Sequence, residues 1–284
     1  MILIADSGST KTDWIFADDA LVVERFQTPG INPVHMDEEE IMAIIAPVAG
    51  RQEVSDVCFY GAGCVAPFKA KVVEALAKSF PSARISVEGD LLGAARAVCG
   101  HRRGIACILG TGSNSCLFDG EAIVENVPPL GYILGDEGSG TDIGKRFLNA
   151  LFKGELSPEL RDDYLHHSGL TYADIISKVY REPLANRFLA RCSVYVAKII
   201  GAESEWPEES ALLKELVAGC FRDFFQKNVS RYDGADSLPM GIVGSIAYHY
   251  QDILREVADT LGYRLDIIEK SPVEGLIRYH FNRS

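Results

Sequence analysis

Apolar and polar positions repeat along this chain in two rhythms. Ile2–Ala5 is an apolar run that ends in a turn of small residues. Thr12–Ala17 and Ala20–Gln27 follow as strands, with Asp18-Asp19 as the turn between them. Apolar residues at helical spacing predict a helix over Glu38–Val48, another over Pro67–Ser79 and an Ala-rich one over Asp90–Cys99. Val54–Tyr60 and Arg84–Val87 are the strands between these helices. The polar segment Gly100–Gly104 reads as a linker. After it come a strand over Ile105–Leu109 and a second hairpin, Ser113–Phe118 with Glu121–Glu125, around Asp119-Gly120. From about Asp142 to Arg231 the pattern is mostly helical, clearest over Leu184–Ile200 and Glu208–Val229. Strand and helix then alternate again over Pro239–Val243, Ala247–Thr260, Tyr263–Ile268 and Val273–Phe281. This mixture predicts an α/β fold.

The order of these elements repeats. Ile2–Phe16 is a strand, a Gly/Ser/Thr turn and a strand, and so is Ala106–Phe118. Tyr60-Gly61-Ala62 and its following helix correspond to Val243-Gly244-Ser245 and its helix. Arg84–Arg96 corresponds to Arg264–Arg278, with Gly93 matching Gly275 after a two-residue insertion. Three matches in preserved order indicate a duplicated lobe whose second copy carries a helical insertion. The expected division is 1–103 for the first lobe and 104–272 for the second, with the insertion at about 142–231. The last helix, 273–284, is expected to pack back on the first lobe.

Composition narrows the function classes. The chain has 284 residues, of which 47% are hydrophobic and 24% charged, enough apolar content for a packed core. Its formal charge of −12 argues against a nucleic-acid binder, which needs a basic face, and against adhesion to an anionic membrane. The first residues form neither a signal peptide nor a membrane span. Seven scattered cysteines without a C-x-x-C pair argue against a disulfide framework or a zinc site. Such cysteine usage suits a reducing cytoplasm.

Candidate chemistry concentrates in the two small-residue turns. Asp6-Ser7-Gly8-Ser9-Thr10-Lys11-Thr12 joins two strands, and backbone N–H groups of such residues can converge on an anion. Ser9, Thr10 and Thr12 add hydroxyl donors and Lys11 adds charge. Asp6, at the strand end, could hold Mg²⁺ through water. A plain hairpin would rarely collect an acid, three hydroxyls and a lysine. Gly110-Thr111-Gly112-Ser113-Asn114 is the second turn, and by duplication the pair suggests two grips on one polyphosphate. Neither turn is a Walker A loop or a dinucleotide fingerprint. Asp90 opens a helix, where Asp is a common N-cap. The Gly-rich run 131–140 suggests a mobile segment, and His166-His167 reads as a solvated pair on a helix.

The chain resembles the N-acetylglucosamine kinase family and its relatives, the BadF/BadG-type ATPases, within the sugar kinase/actin/heat-shock-chaperone ATPase superfamily. The resemblance rests on Asp6–Asp13, Asn32-Pro33, Asp90, Gly110–Asn114, Gly135-Asp136-Glu137-Gly138-Ser139, Gly244-Ser245 and Gly275, and covers nearly the whole chain. It implies two duplicated ribonuclease H-like, actin-like ATPase lobes with ATP in the cleft between them. It implies that Gly8, Ser9, Thr10, Lys11 and Thr12 hold ATP phosphates beside the metal, and that Thr111, Gly112 and Ser113 hold them from the other lobe. Gly244 and Ser245 would line the adenosine pocket, and Gly275 would permit close helix packing at the hinge. Asp90 becomes the general base for the acceptor hydroxyl. Glu88-Gly89-Asp90 departs from the family's usual Asn-Asp, which leaves Glu88 as a competitor. Asn32 matches the sugar-binding Asn, Asp136 would take sugar hydroxyls, and Asn114 would reach the acetamido group or a hydroxyl.

The activity this implies is ATP-dependent phosphorylation of an amino-sugar hydroxyl, the 6-position of N-acetylglucosamine or of an analogue such as N-acetylmuramic acid or glucosamine. The resemblance and the long apolar helices also point to a homodimer. One alternative is an ATPase that activates a partner redox enzyme through an iron–sulfur cluster. Cys107, three residues before Gly110, occupies the place of a first cluster ligand, but Cys116 lies on the opposite side of the turn. A non-catalytic sugar sensor is the other alternative.

Overall fold

The computed structural model describes residues 1–8, 10–51, 53–201 and 205–281. The chain forms two compact units. One comprises Met1–Ala106, Phe118–Val124 and the chain from Ser271 onward; the other comprises Cys107–Leu117 and Glu125–Lys270. The first unit runs to Ala106 instead of 103 and also takes in Phe118–Val124.

The first sheet is built from β1 (Ile2–Ser7), β2 (Lys11–Asp18), β3 (Leu21–Pro29), β4 (Asp56–Gly61) and β5 (Arg84–Gly89), in the spatial order β3-β2-β1-β4-β5. β1 runs antiparallel to β2 and parallel to β4, and β4 runs parallel to β5. The β2–β3 turn falls at Asp19 and Ala20, with φ of 46° and 65°. Two successive positive φ values match the right-handed twist of a hairpin. α1 (Glu38–Ile45), α2 (Lys69–Ser79) and α3 (Asp90–Cys99) complete this half. α1 opens with a capping box in which Asp37 and Glu40 exchange side-chain and backbone bonds.

The core of this unit collects the buried faces of the strands and helices. Leu3, Trp14, Phe16, Val57 and Phe59 of the sheet meet Ile41, Ile45, Val72 and Leu76 of the helices. Trp14 donates its indole N–H to Thr28 Oγ1 at 2.8 Å, which satisfies the one polar atom such a ring buries.

The second sheet contains β6 (Gly104–Leu109), β7 (Ser113–Phe118), β8 (Ile123–Glu125), β9 (Met240–Val243) and β10 (Leu265–Glu269), ordered β10-β9-β6-β7-β8. Read from the other edge, it repeats the strand order of the first sheet. The duplication seen as three sequence matches is therefore a repeat of topology. Between β8 and β9 lie α4 (Gly131–Leu134), α5 (Gly140–Lys153), α6 (Pro158–Ser168), α7 (Tyr172–Tyr180), α8 (Ala185–Ile200) and α9 (Pro207–Lys227). Ser139, Ser157 and Thr171 cap α5, α6 and α7, and left-handed Gly154 and Gly169 end α5 and α6.

Two sequence expectations need correction here. The helix expected over 247–260 is broken into α10 (Ser245–His249) and α11 (Gln251–Thr260). Tyr250, at the break, is buried and donates its hydroxyl to Ser193 O of α8. Anchoring that side chain inward interrupts the helical run. The segment 131–140 is not a loose strap either. Its first residues form α4, Asp136 N–H donates to Pro129 O at 3.0 Å, and Ser139 and Gly140 are buried.

The last helix, α12 (Val273–Phe281), lies against α3. A Cβ added at Gly275 would lie 2.4 Å from Ala97 O. That atom is backbone and cannot swing aside. We expect Gly275→Ala to destabilise the protein by about 1–3 kcal/mol through overpacking. Urea unfolding would read this as a lower midpoint at unchanged slope. Among the described residues no helix is long and apolar enough to cross a membrane.

Candidate active site

Parallel strands β1, β4 and β5 end level with one another, at Ser7, Gly61 and Gly89. The C-terminal ends of parallel strands are where open α/β sheets bind ligands. The first turn leaves β1 there, and Asp90 follows β5 at the same end.

Scaffold bonds close the turn. Gly8 N–H donates to Lys11 O at 3.0 Å, and Gly30 N–H donates to Thr10 O at 3.1 Å. Ser7 Oγ lies 2.8 Å from Thr12 Oγ1 and accepts Ile31 N–H at 2.9 Å. Thr12 is buried and donates its hydroxyl to Pro29 O at 3.2 Å. The expectation that Thr12 offers a hydroxyl to phosphate is therefore corrected: its alternation on β2 turns it into the fold, where it staples the turn to the next strand. Thr10 is exposed at the turn. Ser9, the remaining hydroxyl expected to act here, lies outside the described residues.

Hairpin register brings together acids that are seven residues apart. Asp6 on β1 pairs with Asp13 on β2. Burial, Asp13 and Asp90, in that order, push the Asp6 carboxyl up to about 7, while Lys11 and a hydrogen bond from Ser271 pull it down. Asp13 is itself held on both oxygens. Lys11 Nζ lies 2.8 Å from its Oδ2, and Gln27 Nε2 donates to its Oδ1 at 2.5 Å. Asp13 and Ser271 were not singled out by sequence reasoning. The turn length that sets the Asp6–Asp13 register was the available signal for Asp13; Ser271 carried none.

Asp90 is the first residue of α3, and the N-cap is Gly89, which offers no side-chain bond. The N-cap reading of Asp90 is thus corrected by one position. Its Oδ1 accepts Leu91 N–H at 2.9 Å. Burial raises its pKa, against the lowering effect of the backbone N–H groups of Leu91 and Asp90. The helix N-terminus does not win here; desolvation does. Glu88, the competitor, pairs with Lys69 at 3.7 Å. Asn32 is half-buried and turns its Oδ1 to Val34 N–H at 3.1 Å, the bond of an Asx turn.

In the other unit a backbone bond also closes the second turn, over two residues instead of three, with Gly110 N–H donating to Gly112 O at 2.9 Å. Asp136 sits under it. Its Oδ1 accepts Ser113 N–H at 3.2 Å, and a Cβ on Gly112 would lie 3.0 Å from its Oδ2. Asp136 is 9% exposed with φ at 56°. The expectation that it faces sugar hydroxyls needs correction for this oxygen, which braces the turn. The start of α5 braces it too: Gly140 and Thr141 N–H donate to Gly110 O and Thr111 O at 2.9 and 3.2 Å. Asn114 Oδ1 accepts Ser115 N–H and Asn126 Nδ2, both at 2.9 Å. Gly244 has φ at 129°, and a Cβ there would meet Leu109 O at 2.1 Å, so the fold itself demands glycine. Ser245 is exposed at the start of α10.

Cys107 and Cys116 are both fully buried, and none of the seven cysteines forms a disulfide. No three His, Cys, Asp or Glu side chains among the described residues cluster to hold a metal. An oxygen donor on Asp6 suits Mg²⁺, which takes few carboxylates and keeps water.

No family model matches the sequence, and no curated protein does. Solved structures do match. A structure from Porphyromonas gingivalis, named as a candidate N-acetylglucosamine kinase, is 47% identical, covering 100% of this chain and 99% of its own, with a TM-score of 0.94. This chain belongs to the N-acetylglucosamine kinase-like, BadF/BadG-type family. A structure from Chromobacterium violaceum with the same kind of name is 18% identical, at TM-score 0.73 over 98% of each chain, and shares the fold. So does a non-polymerising MamK mutant bound to AMPPNP, at 11% identity and TM-score 0.59, covering 97% of this chain and 96% of its own. The family thus carries the α/β fold expected from the sequence, of the actin-like ATPase and sugar kinase kind.

Proposed function

We propose that this protein is an ATP-dependent carbohydrate kinase that phosphorylates the 6-hydroxyl of N-acetylglucosamine or a close amino sugar. The observation that carries the proposal is the convergence of the first turn, the Asp6–Asp13 pair and Asp90 at one end of the first sheet. Phosphoryl transfer needs alignment and charge neutralisation more than covalent chemistry by the protein. Gly8, Thr10 and Lys11 of the first turn, and Thr111, Gly112 and Ser113 of the second, would orient the phosphates of ATP. Gly244 and Ser245 would face the adenosine. Asp6 would hold Mg²⁺, whose charge offsets that of the β- and γ-phosphates.

Asp90 would accept the proton of the sugar hydroxyl as its oxygen bonds to the γ-phosphorus, with the bond to the ADP oxygen breaking. Its raised pKa suits a base of this kind. Asn32, Asn114 and Asp136 would meet the sugar with the groups their turn bonds leave over. Burial of Cys107 within β6 favours this reading over a cluster-bearing activator. Cysteines outside any disulfide also suit a reducing cytoplasm. A coupled ADP-release assay over N-acetylglucosamine, N-acetylmannosamine, N-acetylmuramic acid, glucosamine and glucose tests the proposal. Sugar-dependent turnover, highest with an N-acylated sugar, is the expected result; no turnover with any sugar would remove it.

A further inference from the structure

The first turn ends in a lysine whose side chain is not left to wander. Lys11 is 57% exposed, yet its Nζ lies 2.8 Å from Asp13 Oδ2. Both residues lie on β2 two positions apart, so they share one face of the strand. The other oxygen of Asp13 accepts Gln27 Nε2, and Gln27 is the partner of Asp13 across the β2–β3 ladder. The acceptor that holds the lysine is therefore itself held, from the neighbouring strand. Asp13 is only 19% exposed, much less than the lysine.

An exposed ion pair of this kind contributes little to stability. What it fixes is geometry. An ammonium has three N–H donors, and one directed at Asp13 leaves two for another anion. A free lysine would lose its rotamer freedom only when an anion bound, which weakens that binding.

We propose that Asp13 is a positioning residue of the kinase, which together with Gln27 holds the Lys11 ammonium at the mouth of the first turn ready for a phosphate oxygen. The proposal rests on the kinase reading for what Lys11 meets, but not for the Lys11–Asp13–Gln27 relay itself. Asp13 acts through Lys11 and need not touch the nucleotide. Gln27 acts one step further back, by fixing the rotamer of Asp13.

The test is a double-mutant cycle read in MgATP binding without sugar, by calorimetry, and in the KM for ATP. Lys11→Ala and Asp13→Asn should each weaken MgATP about 5–10-fold, with kcat changed less than about 3-fold. Combined, they should be no worse than Lys11→Ala alone. Gln27→Leu should weaken binding about 2–3-fold, and only when Lys11 is present. Equal melting temperatures of the variants without nucleotide separate positioning from a folding defect. Asp13→Asn that weakens binding as much in the Lys11→Ala background as in the parent would overturn the proposal, because Asp13 would then act on the metal or the fold directly. Failure of every sugar in the turnover assay would leave the binding cycle readable, so the two ideas fall separately.

Discussion

Replacing Asp90 with Asn is expected to lower sugar-dependent ATP turnover about 10²–10⁴-fold, the range that a positioned base contributes. The change keeps shape and removes only the ability to accept a proton. Asn can still accept Leu91 N–H, the bond that holds Asp90 at the start of α3. Sugar and nucleotide binding, read by calorimetry, should therefore stay within a few-fold of the parent. Glu88→Gln should have a small effect, since Glu88 faces Lys69. The wild-type pH profile carries the same signature. Burial raises the Asp90 pKa, so the carboxyl is protonated and inactive at low pH. Turnover should rise with pH and level off above that raised pKa, and the Asn variant should lose this limb. Full turnover in Asp90→Asn with a collapse in Glu88→Gln would transfer the role to Glu88.

Much of the fold was legible because its elements obey local rules. The helix over Asp90–Cys99 and the strand over Ser113–Phe118 begin and end where their patterns do. The duplication was legible because both copies keep a glycine at a crowded position, against the Phe59 side chain at Gly61 and against backbone at Gly244. Gly244, matched to Gly61 in the repeat, sits 2.1 Å by a notional Cβ from a carbonyl. The helix break at Tyr250 was not legible, because it depends on a hydrogen bond to Ser193, 57 residues away.

The site divides the same way. Asp6, Lys11 and Asp90 are candidates that residue type and position announce. Asp13 is not one, because its meaning comes from register. It faces Asp6 only once Gly8 and Lys11 close the turn. Thr12 misled for the related reason that alternation along β2 turns it inward, away from the face that carries Lys11 and Asp13. Asp136 was legible only in part, because a buried carboxylate can serve a turn as readily as a ligand. Its bond to Ser113 N–H shows the second turn to be stiffened from beneath, as the Ser7–Thr12 pair stiffens the first. Both turns would therefore meet an anion with backbone already in place, a preorganisation that lowers the entropy lost on binding. Such turns need no basic surface, which is how a chain of charge −12 can bind a polyphosphate.

The carboxyl of Asp6 makes a second large prediction, on stability. Its pKa of about 7 in the fold stands against an ordinary value of 3.8. Between those values the folded chain binds a proton that the unfolded chain has lost. Stability therefore falls as pH rises from about 4 to 7 and is level above that. The full shift corresponds to about 4 kcal/mol, and screening at a half-buried group reduces it to about 2–3 kcal/mol. Asp6→Asn should thus stabilise the protein by about that amount at pH 8 and hardly at all near pH 4. A metal ion bound by this carboxylate needs it ionised, so added Mg²⁺ with ATP should raise the melting temperature more at pH 8 than at pH 6. In Asp6→Asn that increment should vanish along with turnover. Here the carboxylate proposed to hold the cation is the one whose ionisation costs stability, and a bound cation would offset that cost. An Asp6→Asn variant less stable than its parent at pH 8 would mean that the carboxylate is a scaffold group instead.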